Sequence, residues 1–204
     1  MSRIFLLRHA HSVANAKGIL AGRMENMPLS KEGIKQREVL IQRFGGTGSE
    51  KFDQVISSPI QRCRETISFI TEDPYIADEF QEVDYGKWTG KRTASLARNK
   101  AWREIHRNPA SVRFPDGETL PEVQTRALLG LDKHLKKGAK NILIATHADV
   151  VKVLILHALG THLNNIDKLQ INNASISILE KDEQNLRVIR VNDDTSSIPE
   201  LLRN

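Results

Sequence analysis

Ile4-Phe5-Leu6-Leu7-Arg8-His9 and, far downstream, Asn141-Ile142-Leu143-Ile144-Ala145-Thr146-His147 decide how this chain is read. Each is a short apolar run that ends on a histidine. Runs that are apolar throughout, rather than alternating, predict strands buried on both faces of an α/β sheet. Open α/β sheets place ligands beyond the carboxyl ends of their strands. His9 and His147 are therefore expected to share one pocket despite their separation in sequence.

Outward from the first run, strand and helix signals alternate. A polar loop carrying Gly18 and Gly22 leads to Ser30, the expected N-cap of a helix through Phe44 with Ile34, Val39, Leu40 and Phe44 on its apolar face. Gly45-Gly46-Thr47-Gly48-Ser49 stops that helix. Asp53 to Ser57 reads as a strand, and Pro59 opens a helix with Ser58 as its cap. Tyr75 to Ala77 and Glu79 to Val83 read as extended segments, and Ala94 to Arg107 as a polar helical lobe. A helix is expected over Glu118 to Lys136, and another after His147 as far as Leu159. Gln170 to Glu180 and Gln184 to Val191 read as a hairpin, and Ser196 onward as a frayed tail. This β-loop-α rhythm suits a covered, largely parallel sheet.

With 204 residues, 39% of them hydrophobic, the chain is large enough for a sizeable core in a single domain. The net charge of +5 suits anionic ligands, but the cations are scattered and only 5% of residues are aromatic, so no nucleic-acid partner is expected. The Lys136-Lys137 pair, with Lys140, reads as a solvated helix end. Cys63 is the only cysteine, which excludes a disulfide framework and fits a reducing compartment. No apolar run reaches membrane-spanning length, and Met1 to Leu7 shows no signal-peptide pattern. The expectation is a cytoplasmic protein with a small-molecule partner, no nucleic acid and no membrane; the sequence names no oligomeric partner.

Several residues could carry chemistry. A histidine at a strand end is often no more than a packed polar residue, but Arg8 beside His9 offers fixed donors to an anionic oxygen array. Ser12 and Asn15 follow in the same loop, where either could simply stabilise a turn. Arg62 falls in the first turn after Ser57-Ser58-Pro59, where helix amides favour anions. Glu79, Glu82 and Asp84 precede Tyr85-Gly86-Lys87-Trp88-Thr89-Gly90, and composition does not select the acid among them. Ser12, Arg23 and Trp88 are candidates for the substrate cleft, Trp88 equally for the core. Cys63 reads as structural. Two histidines without a third ligand, beside arginines, do not make a metal site. HExxH, dinucleotide-binding and Walker A patterns do not occur.

These stretches together resemble the histidine phosphatase superfamily, also called phosphoglycerate-mutase-like. The matching segments are Leu7-Arg8-His9-Ala10-His11-Ser12 with Asn15, Ser57-Ser58-Pro59-Ile60-Gln61-Arg62, Glu82 to Gly90, Phe114-Pro115-Asp116-Gly117-Glu118-Thr119, and Thr146-His147-Ala148. The resemblance implies a single domain over 1–204. It would be a three-layer α/β/α sandwich with a central mixed, mainly parallel sheet and a small helical cap over 93–113. It implies His9 as the nucleophile, Arg8, Arg62 and His147 as the phosphate cradle with Asn15 beside them, and Glu82 as the acid. His147 is expected in its cationic form. The implied activity is phosphomonoester hydrolysis through a phosphohistidine intermediate, on a small phosphorylated metabolite, with no metal and no other cofactor. The alternatives are a phosphoglycerate mutase, a protein phosphohistidine phosphatase and a noncatalytic phosphate-binding or interaction module. Ala10 and Ala148 stand where the family pattern often has glycine; alanine is small and removes no reactive group.

Overall fold

The two histidine-ending runs become the central strands of one sheet. In a computed structural model, which describes residues 1–46, 51–135, 138–183 and 185–203, β1 (Ser2–Arg8) and β4 (Asn141–Thr146) lie side by side and parallel. Their register sets Leu7 opposite Ala145 and Arg8 opposite Thr146. β2 (Gln54–Ser57) pairs with the far side of β4, and β3 (Tyr75–Ile76) pairs with β2, both in parallel. β5 (Ile176–Lys181) runs antiparallel to β1, and β6 (Leu186–Asp193) antiparallel to β5. The order is β3-β2-β4-β1-β5-β6, a mixed and mainly parallel sheet.

Alternation along β1 and β4 builds two cores, one on each face. Ile4, Leu6, Ile142 and Ile144 pack against α6 (Leu120–His134) and α7 (Ala148–Ala158). Phe5, Leu7, Leu143 and Ala145 pack against α2 (Lys31–Phe44), α3 (Gln61–Ile67) and α8 (Ile198–Arg203). Both central strands are covered on each face, which is why their sequences are apolar without a break. The result is the expected three-layer α/β/α sandwich. The shorter helices are α1 (Val13–Ala16), α4 (Thr93–Leu96) and α5 (Lys100–Arg107).

Four local expectations change. Ser30 does cap α2, its hydroxyl accepting from Gly33 N, but Ile34 and Val39 are 43% and 50% exposed. The inward face of α2 is instead Gly33, Leu40, Arg43 and Phe44, because the helix sits so close to the loop after His9 that a Cβ on Gly33 would lie 2.0 Å from the His11 carbonyl oxygen. Second, α3 starts at Gln61 with Ile60 as an N-cap that gives no side-chain bond, so Ser58 does not cap it. Third, Asp78–Phe80 within the expected extended segment is a 3-10 turn. Fourth, the chain after Ser196 forms α8, with Ile198 and Leu201 buried against the second core. Thr47 to Ser49, the Lys136-Lys137 pair and Gln184 at the start of the expected hairpin strand lie outside the described residues.

Candidate active site

Because β1, β2 and β4 are parallel, their carboxyl ends meet at one sheet edge, and the antiparallel β5 contributes the segment that precedes it. His9 N donates to Thr146 O (2.9 Å), Ser58 N to Ala145 O (2.9 Å), and Ala174 N to Arg8 O (3.1 Å). The expected convergence is observed: the His9 and His147 rings lie edge to face with centroids 5.3 Å apart. Both rings are buried.

Hydrogen bonds fix the tautomer of each ring. His9 Nδ1 is 2.8 Å from the Ala10 carbonyl oxygen, so it carries the proton and donates. Nε2 is then the acceptor, and Arg62 Nε donates to it at 3.2 Å. Burial first, and then the neighbouring Arg62 and Arg8 guanidiniums, push the His9 pKa well below its ordinary value. His9 is a neutral imidazole with a lone pair on Nε2. His147 accepts at Nδ1 from Arg62 Nη2 (3.1 Å), which leaves its Nε2–H to donate to Ser58 Oγ (2.9 Å). Burial, Arg62 and His9 depress its pKa as well. In the free site burial, and then the neighbouring guanidiniums, therefore favour a neutral His147; the cationic form is expected for the reacting complex.

Arg62 is 1% exposed and spans the site, donating through Nη2 to Gly22 O at 2.8 Å. Its Nη1 is buried without a hydrogen-bond partner, and so is Arg8 Nε. Arg8 donates elsewhere, through Nη1 to the Ile171 carbonyl. Leaving a buried charged donor unmatched is costly, and native structures almost always satisfy such groups. Two orphaned guanidinium N–H groups beside the neutral His9 ring make a ready anion site.

Glu82 faces this cradle, its Oε2 3.8 Å from His147 Nδ1. Burial and the nearby Asp149 carboxylate outweigh Arg62, the Val83 amide and Arg8, and raise its pKa to about 7. Two arginines hold its backbone: Arg23 Nε and Arg126 Nη2 each donate to Glu82 O at 3.1 Å. Glu118 ties the pair together, accepting from Arg23 Nη2 (2.8 Å), Arg126 Nε (2.9 Å) and Asp84 N (3.0 Å). Neither Glu79 nor Asp84 takes this place; Glu79 is bonded to Lys133 and His134, and Asp84 accepts from Gly86 N.

The other candidates divide. Asn15 Oδ1 is taken by Ser12 N and Ser12 Oγ (2.9 Å each), so the side chain is held by its own capping box. Ser12 is thus the N-cap of α1 and holds Asn15, rather than lining the cleft. Arg23 borders a cavity of about 350 Å³ with Met24, Asn26 and Gln61, and none of His9, Glu82 and His147 lines it. Trp88 is 3% exposed and stacks with Trp102 and Phe114 at 5.5 and 5.9 Å, a core ring rather than a cleft wall. Cys63 lies 3.5 Å from His147 Nε2, where burial pushes its thiol up to about 12, so it is a neutral spacer. Sequence reasoning missed Asn173, which donates to His9 O at 3.0 Å, and the Glu118–Arg126 pair; only their contacts reveal them. Among the described residues no group of three or more His, Cys, Asp or Glu is placed to hold a metal.

A buried neutral histidine beside two guanidiniums, and a carboxyl group whose pKa is raised to about 7, sit together at the edge of a three-layer α/β/α sheet, an arrangement suited to phosphoryl chemistry. The family model for the histidine phosphatase superfamily (branch 1) matches residues 4–194, and the chain belongs to that family. It is a histidine-phosphatase-type hydrolase acting on a phosphorylated small molecule. Among similar proteins, a candidate phosphoserine phosphatase 2 of Hydrogenobacter thermophilus is 27% identical over 198 residues, covering 94% of this chain and 96% of that one. A bifunctional protein of Mycobacterium tuberculosis is 29% identical over 191 residues; the match covers 88% of this chain but only 50% of that protein. Among solved structures, a mutant phosphoserine phosphatase of Entamoeba histolytica in complex with phosphoserine superposes with a TM-score of 0.84 at 21% identity, covering 96% of this chain and 98% of that one. At that identity the likeness shows the fold alone.

Proposed function

We propose that the protein hydrolyses phosphomonoesters of small metabolites through a phosphohistidine formed at His9 Nε2. The observation that carries this reading is the pairing of a lone pair on Nε2 with two buried, partnerless guanidinium donors, Arg62 Nη1 and Arg8 Nε. Phosphoryl oxygens satisfy those donors and set phosphorus before the nucleophile. Nε2 attacks phosphorus, the ester P–O bond breaks, and protonated Glu82 gives its proton to the departing oxygen. Glu82, now a carboxylate, takes a proton from water as that water attacks the phosphohistidine. Inorganic phosphate leaves, and His9 returns to its neutral form. The incoming dianion also favours a proton on His147 Nδ1, so His147 becomes a donor only when the site is filled. Fixed positive donors stabilise the charge developing on the transferring oxygens.

Rapid acid- or base-quench of enzyme mixed with ³²P-labelled substrate tests the covalent step. Acid-labile, base-stable label is expected on His9 and none on His9→Ala, with turnover nearly abolished. Full turnover by purified His9→Ala would remove His9 from the nucleophile's place. Incubation with either phosphoglycerate isomer, followed by assay of free phosphate and of the other isomer, separates hydrolysis from mutase exchange. Release of phosphate without exchange is expected.

A further inference from the structure

A cavity of about 220 Å³ shares Tyr85 and Asp149 with the surroundings of the cradle, and Leu20, Trp102, Ile105, Phe114, Leu120 and Ile166 give it a largely apolar lining beside a few charged groups. Tyr85 joins it to the phosphate site, since its ring sits 3.1 Å from the position a Gly22 Cβ would occupy, and Gly22 O holds Arg62. Asp149 borders it too, two residues past His147 and near enough to raise the pKa of Glu82. The space equals roughly seven waters at about 30 Å³ each, enough for a ring-bearing alcohol.

The charges on its walls are already matched to one another. Tyr85 Oη donates to Asp149 Oδ2 at 2.8 Å, and Lys152 Nζ lies 3.7 Å from Asp149 Oδ1. His106 Nδ1 pairs with Asp167 Oδ2 at 2.7 Å, tying α5 to the 3-10 turn over Leu163–Lys168. A substrate carboxylate beside the ester carbon would meet the Asp149 carboxylate first, and would have to break an existing pair to gain a cation. Like-charge contact of this kind excludes a ligand more effectively than a missing contact does. An uncharged flat ring meets no such cost and covers Trp102 and Phe114, with the geometry aromatic pairs prefer.

We infer that this cavity receives the leaving alcohol, and that it selects phosphomonoesters of uncharged, ring-bearing alcohols over phosphorylated amino acids and hydroxy acids. The inference rests on the phosphatase reading above and deepens it. It differs from the phosphoserine named for the similar Hydrogenobacter and Entamoeba proteins.

Esters with alkyl leaving groups remove differences in intrinsic reactivity, so the test compares 2-phenylethyl phosphate and benzyl phosphate with phosphoserine and 3-phosphoglycerate. A ring newly buried in a matched pocket is expected to raise kcat/KM about ten- to hundredfold over the two carboxylates. Trp102→Ala is expected to collapse that ratio mainly through KM for the aryl-alkyl esters, and Trp102→Phe to restore most of it. Equal efficiencies, or a preference for phosphoserine or 3-phosphoglycerate, would overturn the assignment of the cavity while leaving the phosphohistidine chemistry intact. A preference that survives Trp102→Ala unchanged would overturn it as well. A panel in which no ester releases phosphate would instead strike at the phosphatase reading itself.

Discussion

Glu82 shows how one side chain can be tuned for work at a cost to the fold. As a general acid it must be protonated, so kcat/KM is expected to fall as pH rises through about 7. His9 must be neutral, and its depressed pKa moves the acid-side loss of activity well below 6.5. A pH profile of kcat/KM, flat over the mildly acidic range and falling above 7, checks both. Glu82→Gln is expected to slow turnover while leaving phosphate affinity in place, and to abolish the limb near 7. The same shift has a stability consequence. Its folded pKa lies above the unfolded value, so over the window from 4.5 to about 7 the folded protein holds a proton that the unfolded chain has released. Stability therefore drops as pH rises through that window, and Glu82→Gln should melt above the wild type at pH 8. Arg62→Ala removes a donor aimed at the transferring oxygens and is expected to cost roughly 10²–10³ in kcat, read by steady-state kinetics. At this scale the sequence revealed groups whose neighbours along the chain announce them, such as Arg8 beside His9. It did not reveal Asn173, Glu118 or Arg126, whose partners come from other elements. Nor could it show that burial beside Arg62 disfavours a proton on His147 in the empty site, since that follows from packing and not from the flanking residues.

Among the elements, α2 and α8 were misread for the same reason: a contact from elsewhere in the chain overrides the local pattern. Apolar periodicity places Ile34, Val39, Leu40 and Phe44 on the inner face of α2; Leu40 and Phe44 are buried there, but Ile34 and Val39 are exposed and the buried Arg43 completes the face. Its Nη2 pairs with Asp193 Oδ1 at 3.0 Å and its Nε donates to Ser196 O at 2.9 Å, which anchors the approach to α8. Both side chains are buried, 6% and 7% exposed. Arg43→Met leaves Asp193 with Arg190 and the Ser196 amide and hydroxyl, but strips Ser196 O of its buried donor, and is expected to cost about 1–3 kcal/mol by urea unfolding. Gly33 marks the other contact, against the His11 backbone at 2.0 Å from a notional Cβ. Gly33→Ala must push α2 or the nucleophile loop aside, which is expected to cost about 1–3 kcal/mol and to lower kcat by disturbing His9. Unfolding curves and kinetics on the same preparation check the two effects together. The long strand runs β1 and β4 were legible because they are buried on both faces and need nothing distant to define them.

Over the whole molecule, the orphaned guanidinium donors predict a protein that gains stability from anions. Phosphate or vanadate should raise the melting temperature in a concentration-dependent way, through a gain in stability of about 2.7 kcal/mol at a hundredfold excess over Kd. Arg62→Ala should lose most of that gain, a result read directly by thermal shift. The architecture was legible at this scale from the alternation of elements, whereas the depth and lining of the cavity beside Tyr85 depend on how α5, α6 and α7 pack together. The adjacency of β1 and β4 carries a further consequence for how the protein is made. The strand that bears His9 is made well before its neighbours in the sheet, β4 and β5, which follow residue 140. Arg8 and His9 gain those neighbours only after the segment through β5 has been made, and the His9 ring meets His147 no sooner. A nascent fragment ending before His147 thus carries the proposed nucleophile without its full cradle, so catalytic competence waits for β4 and the turn that follows it.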